Sequence, residues 1–250
     1  MRFADKVVLV TGAGSGVGRA VAHGFAREGA AVVAAGRGRE SLEQTVKLIE
    51  AEGGRADALT VDVTDSAGMG RLVREIVTRF GRLDVAVNCA GIFAAGTVVE
   101  MPEEDWARVL QVNTTGVFLA MKHEIAAMRA QGSGVIVNIA SNIGAHTRRA
   151  GLGAYAASKA AVSALTRTAA LENIREGVRI NAVSPGPLDT AMSLRPGEIE
   201  DDRAARIRES LPIGRVGGLD EIAGTVLWLA SDDAGFAVGL DLVLDGGASA

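Results

Sequence analysis

Tyr155 and Lys159 stand four residues apart in an Ala-rich stretch of helical periodicity, so both side chains project from one face of a helix. A phenol, with an ordinary pKa near ~10, is a poor general base at neutral pH. A neighbouring ammonium favours the phenolate and lowers that value, which makes the pair a candidate acid/base. The spacing alone is common, and a lysine stem lying along a helix surface is its ordinary alternative. Ser141 adds weight, because it ends a β-rich run and its hydroxyl can hold a substrate oxygen beside the phenol. A serine there can also cap the following turn. Asn113 interrupts the apolar stretch 109–121, where Asn is a weak helix former. Its side chain can disturb the helix and hold a water that relays protons to Lys159, or it can bond neighbouring backbone.

A second constellation lies near the N-terminus. Thr11-Gly12-Ala13-Gly14-Ser15-Gly16-Val17-Gly18 joins the first β-rich run to the first helical pattern. Val17 occupies the place of the last glycine in G-x-G-x-x-G, and no Lys-Ser/Thr follows to make a P-loop. The spacing T-G-x-x-x-G-x-G at a strand-to-helix junction suits a dinucleotide pyrophosphate, which free N–H groups and the helix dipole would hold. The next strand ends Ala35-Gly36-Arg37-Gly38-Arg39. No acid stands at its tip to bind a ribose 2′-hydroxyl, whereas Arg37 matches a 2′-phosphate. NADP(H) is therefore the expected cofactor, with NAD(H) possible if Arg37 is only a solvated loop charge.

The elements that must position these residues follow from periodicity. Short β-rich runs at 6–10, 31–35, 58–61, 83–88, 135–140, 179–183 and 240–244 alternate with helical patterns at 17–28, 41–51, 66–80, 103–130, 154–175 and 220–230. Right-handed crossovers turn such alternation into a doubly wound parallel sheet with helices on both faces. The chain of 250 residues shows no internal repeat and no interdomain linker, so one α/β domain over 1–250 is expected. The span 188–212 is charged and lacks an apolar face; it reads as a substrate-binding loop or a mobile surface excursion.

Composition narrows the functional classes. The net charge of −4 gives no general pull toward nucleic acid or an anionic membrane. Cys89 is the single cysteine and ends an apolar run, so it reads as a buried, inert thiol outside any disulfide framework. No His/Cys cluster has zinc spacing. Neither a signal peptide nor an apolar run of about 20 residues is present, and a cytoplasmic protein acting on a small molecule is the expectation.

Together with Asp62-Val63, Asn88-Cys89-Ala90-Gly91 and 181–190 (NAVSPGPLDT), these motifs closely resemble the short-chain dehydrogenase/reductase family, in particular its 3-oxoacyl-(acyl carrier protein) reductases. The resemblance spans essentially the whole chain. It implies a single-domain Rossmann-type fold of about seven strands and a catalytic tetrad of Asn113, Ser141, Tyr155 and Lys159. Gly12, Ser15, Gly16, Val17, Gly18, Arg37, Asp62, Val63, Asn88, Ala90, Gly91, Tyr155, Lys159, Pro185, Gly186, Leu188 and Thr190 would hold the cofactor. Asp62 would bind the adenine amino group with the Val63 backbone beside it, and Leu188 would bond the nicotinamide carboxamide through its backbone. It also implies a homo-oligomer, with a tetramer favoured, built on the helices of Asn113 and Tyr155 and on the C-terminal helix and strand.

The resemblance has departures: Cys89 replaces a frequent Asn, 238–240 (VGL) replaces a common Thr-Gly-Gln, and the 141–155 interval is one residue longer than usual. That interval carries His146, Arg148 and Arg149, which could meet an acidic substrate but more often are loop or subunit-contact residues. Ile92, Ile143, Leu152, Met192 and Leu194 are the candidate substrate pocket. The expected reaction is NADPH-dependent reduction of a ketone or 3-oxoacyl-type carbonyl. An NAD-dependent alcohol dehydrogenase and a non-catalytic nucleotide-binding regulator are the alternatives.

Overall fold

Seven runs of mostly small or β-branched residues become seven strands, β1 (Val7–Thr11), β2 (Ala31–Gly36), β3 (Arg55–Thr60), β4 (Val85–Asn88), β5 (Gly134–Ile139), β6 (Val178–Pro185) and β7 (Asp241–Leu244). The computed structural model describes residues 1–190, 193–194 and 197–250. The strands form one sheet in the order β3-β2-β1-β4-β5-β6-β7, and every neighbouring pair is parallel. Each residue of β1 is buried, as expected for a central strand covered on both sides. Alternate residues serve opposite layers. Val8 and Val10 pack with Val21 and Phe25 of α1 (Gly16–Arg27), Leu42 of α2 (Arg39–Ala51) and Ile222 of α9 (Leu219–Ala230). Leu9 belongs to the other layer, with Met69 of α3 (Ser66–Phe80), Met121 of α5 (Gly116–Gln131) and Val162 of α7 (Gly153–Asn173).

The order reverses between β1 and β4, so the loops leaving those two strands diverge. A crevice opens at their carboxyl ends, where open α/β sheets bind ligands. Every chemistry-bearing segment of the sequence leaves the sheet on this edge: the turn after β1, Arg37 after β2, Gly91 after β4, Ser141 after β5 and Gly186 after β6.

Three elements differ from the sequence expectation. The helix expected over 103–130 is α4 (Glu103–Leu110), a π turn (Gln111–Thr115) and then α5. Asn113 sits inside that π turn, where one extra residue per turn displaces the backbone ladder. Strand β3 begins at Arg55, three residues before the expected start. The span 188–212 is not irregular throughout, because α8 (Glu200–Ser210) occupies its second half. This helix buries only Arg203 and Ile207, so it shows no apolar stripe. Its order comes from Glu200, Asp201 and Asp202 in the first turn, which suit the helix dipole, and from its ion pairs.

Those pairs fasten α8 to the first half of the span. Arg203 donates to Asp189 Oδ1 at 2.6 Å and to Ser193 Oγ at 3.0 Å. Arg206 forks onto both oxygens of Glu198, at 2.6 and 2.7 Å. Before β7, α9 packs back on α1, and the short segment α6 (Asn142–Ala145) turns sharply after β5, with Gly144 at φ 129°. Among the described residues no helix is long and apolar enough to cross a membrane, and no group of three or more His, Cys, Asp or Glu could hold a metal ion.

Candidate active site

A cleft of about 1410 Å³ runs along the carboxyl edge of the sheet. Gly12, Ser15, Gly16, Val17, Gly18, Arg37, Asp62, Val63, Ala90 and Gly91 line one half. Pro185, Gly186, Leu188 and Thr190 line the middle beside Ser141, Tyr155 and Lys159. Gly12 has φ +70°, and a Cβ there would stand 2.8 Å from the Ala90 backbone. Only glycine allows β1 to turn against β4 this closely. The side chain of Ser15 does not cap α1, and the first helical bond runs from Arg19 N–H to Ser15 O. Apart from Ala13 N–H, which donates to Ala35 O at 3.2 Å, the earlier N–H groups of the turn remain free at the positive end of the helix dipole. Arg19 clamps the loop from behind by donating to Gly14 O and to Thr45 Oγ1.

At the far end of this half, Asp62 Oδ1 accepts from the N–H and hydroxyl of Thr64 at 2.9 and 2.8 Å. These bonds, helped by the charge of exposed Arg37, hold its carboxyl below the usual range. Tight turn, free amides, acid and guanidinium fit the pyrophosphate, adenosine and 2′-phosphate of an adenine dinucleotide.

Asn88 does not line the cleft. Its side chain points away from the cleft into the layer under α5. There Nδ2 donates to Glu124 Oε2 at 2.9 Å and to Asn138 Oδ1 at 3.0 Å. Asn138 in turn donates to Thr166 Oγ1 at 2.9 Å. Side chains alternate along a strand, so the last residue of β4 faces the core while Cys89 and Ala90 reach the cleft. Glu124 is fully buried, and burial pushes its carboxyl up to about 7. Glu124 Oε1 and Asn88 Oδ1 have no partner among the described residues. A protonated carboxyl supplies the donor that this pair of acceptors lacks.

The catalytic candidates meet in the middle of the cleft. Ser141, the cap of the turn after β5, accepts from Ile143 N–H at 3.2 Å, and its hydroxyl also reaches the Tyr155 phenol. The two sequence readings of Ser141 are thus compatible. Lys159 is buried and donates to Ile139 O at 2.8 Å. Its Nζ lies 5.9 Å from the Tyr155 ring centroid.

The expected lowering of the phenol by Lys159 is absent from this arrangement. Burial pushes Tyr155 up, the Ser141 hydrogen bond opposes that, and burial drives Lys159 down to about 8. Cys89, beside them on the cleft wall, is pushed up to about 11 by burial and stays a thiol at neutral pH.

Asn113 is fully buried and does not line the cleft. Its Oδ1 accepts from Ile92 N–H at 2.8 Å, and its Nδ2 donates to Ile92 O at 2.9 Å and to Ser158 Oγ at 3.0 Å. One Oδ1 lone pair is left. A Cβ on Gly91 would stand 3.3 Å from that oxygen and 3.6 Å from Lys159 Nζ, so glycine keeps the space between them clear.

Ile92, Ile143, Leu152 and Leu194 line the remaining half of the cleft, while Met192 lies outside the described residues. Sequence reasoning missed Phe93, whose ring packs edge-on against Tyr155 with centroids 5.2 Å apart. It also missed Ser158, which holds Asn113. Within the 142–153 loop a bridge joins Ile143 and Thr147. That loop divides its three basic residues. His146 bonds the buried carboxylate of Asp241 at 2.9 Å and leaves the cleft, whereas Arg148 and Arg149 line it.

Known proteins carry the same design. A family model described as enoyl-(acyl carrier protein) reductase matches residues 12–249. The 3-oxoacyl-[acyl-carrier-protein] reductase of Thermotoga maritima is 40% identical over 248 residues, covering 99% of each chain. A solved short-chain dehydrogenase/reductase of Burkholderia xenovorans superposes with a TM-score of 0.92 at 41% identity, over 99% of this chain and 98% of that one. A candidate NAD(P)-dependent gluconate 5-dehydrogenase of Beutenbergia cavernae, with NADP bound at low occupancy, gives 0.90 at 40% identity, over 98% and 97%. Sheet order, cleft and these relatives lead to one conclusion: the chain belongs to the short-chain dehydrogenase/reductase family, oxidoreductases that act on CH–OH and C=O groups.

Proposed function

We propose that this protein reduces a ketone or 3-oxoacyl-type carbonyl with NADPH, and that the reaction is reversible. The observation that carries this reading is the convergence of Ser141, Tyr155 and Lys159 on one cleft whose other half is lined by a glycine-rich turn and, after β2, by Arg37. Gly12, Ser15, Gly16, Val17 and Gly18 would hold the pyrophosphate, Arg37 the 2′-phosphate, and Asp62 with Val63 the adenine. Ala90 and Gly91 would border the ribose, and Pro185, Gly186, Leu188 and Thr190 the nicotinamide. When bound, the nicotinamide supplies the hydride.

Tyr155 holds the carbonyl oxygen with its phenolic O–H and donates the proton as the carbon is reduced; in oxidation it takes the proton back. The Ser141 hydroxyl donates to the same oxygen and stabilises the charge that develops on it. Lys159 has spent one donor on Ile139 O. Its other donors serve the ribose hydroxyls and, once the ammonium faces the phenol, stabilise the phenolate. The remaining lone pair of Asn113 suits a water over Gly91 that passes protons toward Lys159. The span 188–212 serves as the substrate-binding loop, with Leu194 contributing to its apolar wall.

The printed name of the Thermotoga relative supports a 3-oxoacyl substrate, and that of the Beutenbergia neighbour supports a hydroxylated one. The second reading, an NAD-dependent alcohol dehydrogenase, draws on the exposure of Arg37, which leaves its grip on a 2′-phosphate modest. Exposed apolar side chains on α4, α5 and the C-terminal edge, among them Trp106, Phe118, Phe236 and Leu240, suit burial in a homotetramer of a cytoplasmic enzyme.

The test is oxidation of NADPH and of NADH by the purified protein across a panel of carbonyl compounds, with light scattering to size the assembly. Tyr155→Phe is expected to lose on the order of 10²–10⁴-fold in kcat/KM while still binding the dinucleotide. Undiminished turnover in that variant refutes the assigned acid, and faster turnover with NADH moves the protein to the second reading.

A further inference from the structure

Two cations at the substrate end of the cleft have no role in the reaction above. Arg148 and Arg149 sit on the loop between Ser141 and Tyr155 and line the cleft together with Phe93, Ile143, Leu152 and Leu194. Among the described residues neither guanidinium makes a hydrogen bond or an ion pair. The other arginines at this end are engaged, Arg203 by Asp189 and Arg206 by Glu198. Glu100, elsewhere on the cleft wall, accepts from Thr97 Oγ1 at 2.7 Å.

The backbone that presents the two arginines is fastened on both sides. Thr147 N–H donates to Asn142 O at 2.7 Å and Gly144 N–H to Thr147 O at 2.9 Å. Beyond the arginines, Gly96 N–H donates to Gly151 O at 2.8 Å, and Leu152 N–H reaches back to Arg149 O at 3.3 Å. A chain of net charge −4 thus sets two unpaired guanidinium groups beside an apolar pocket, on a segment whose path is fixed before any ligand arrives. Guanidinium forks match carboxylate and phosphate oxygens, and apolar walls suit a carbon skeleton.

We infer that Arg148 and Arg149 recognise an anionic group on the substrate, so that this enzyme acts on a carbonyl or hydroxy compound carrying a carboxylate or a phosphate. The inference rests on the proposed oxidoreductase site: the reacting carbon lies at Tyr155 and the charged end lies outward, toward the loop.

The test uses three compounds with one carbon skeleton, an oxo carboxylic acid, its methyl ester and an oxo phosphate ester. Each is assayed with NADPH and NADH and titrated by calorimetry onto the NADP⁺-loaded protein. The wild-type protein is expected to favour an anion over the ester by on the order of tenfold in kcat/KM, with the preference shrinking as salt rises. Whether acid or phosphate gains more identifies the charged group. R148Q/R149Q should erase the preference and weaken binding of the favoured anion by about tenfold. R55Q, exposed at the start of β3 and away from the cleft, should keep both.

An anion-to-ester ratio that R148Q/R149Q leaves unchanged overturns the inference and leaves the oxidoreductase reading intact. If no compound turns over, the proposed reaction is what fails, and the calorimetry still decides: equal anion affinity in wild type and R148Q/R149Q rules the arginine site out, and weaker affinity in the variant upholds it.

Discussion

The two halves of the cleft are built from different materials. The cofactor half is mostly backbone: a glycine turn, the free amides opening α1, and short strand-end segments at Ala90–Gly91. Its few side chains, Asp62 and Arg37, stand at the outer end. The substrate half is mostly side chain, carried on the 92–93 segment after β4 and on two excursions: the 142–152 loop, and the span after Leu188, which Arg203 and Arg206 brace internally. Backbone placed by a parallel sheet cannot vary without loss of the sheet. It suits a ligand of constant shape, whereas side chains on fastened loops change one at a time and suit a ligand that differs between relatives.

Substitutions can break or sharpen that contrast. The largest effect is expected from Gly12→Ala. Its Cβ meets the Ala90 backbone at a positive φ, so stability should fall by about 1–3 kcal/mol and kcat/KM on the order of 10²-fold. Thermal melts and dinucleotide titrations read both, and a variant with wild-type affinity would mean that the turn is not the pyrophosphate cradle. Arg37→Asp tests a side chain within the backbone half. The NADPH-to-NADH ratio of kcat/KM should drop by about ten- to a hundredfold with no change in melting temperature; an unaltered ratio removes Arg37 from cofactor choice. The smallest effect is expected from Leu194→Ala in the substrate half. It should reorder a carbonyl panel within about tenfold and leave dinucleotide affinity alone, and a loss as large as that of Gly12→Ala would erase the distinction between the halves.

The same contrast decides how much was legible in the sequence. Strand and helix alternation, the glycine turn and the Tyr155–Lys159 pair are local patterns, and the structure places each where its period requires. The π turn at Asn113 escaped because one inserted residue barely alters hydrophobic spacing over a long helix. Helix α8 escaped because its order rests on ion pairs to Asp189 and on a well-charged first turn rather than on an apolar stripe. The acidic run 200–202 ahead of Arg208 was the signal available. The contact of Phe93 with Tyr155 and the inward turn of Asn88 depend on packing between segments far apart in the chain, which no window of sequence contains.

Glu124 escaped for a further reason: glutamate on a helix reads as solvent-facing, yet this one lies against the middle of the sheet. Its carboxyl stands near 7 in the folded protein against an ordinary 4.5. The native state therefore holds a proton that the unfolded chain gives up between those values. The stability tied to it is complete below about 4.5 and is lost as pH rises through about 7, by on the order of 3 kcal/mol. Glu124→Gln keeps the shape and supplies a permanent donor to Asn88, so it should melt higher than wild type at pH 8 and show a flatter pH dependence from 5 to 8. A parallel dependence in the two proteins would place the titration elsewhere. Refolding at pH 6 in buffers of different ionisation enthalpy should report close to one proton more for wild type than for Glu124→Gln. The hydrogen ion is then a stoichiometric reagent of folding, and its activity near neutrality becomes part of what sets how tightly the central strands hold to α5.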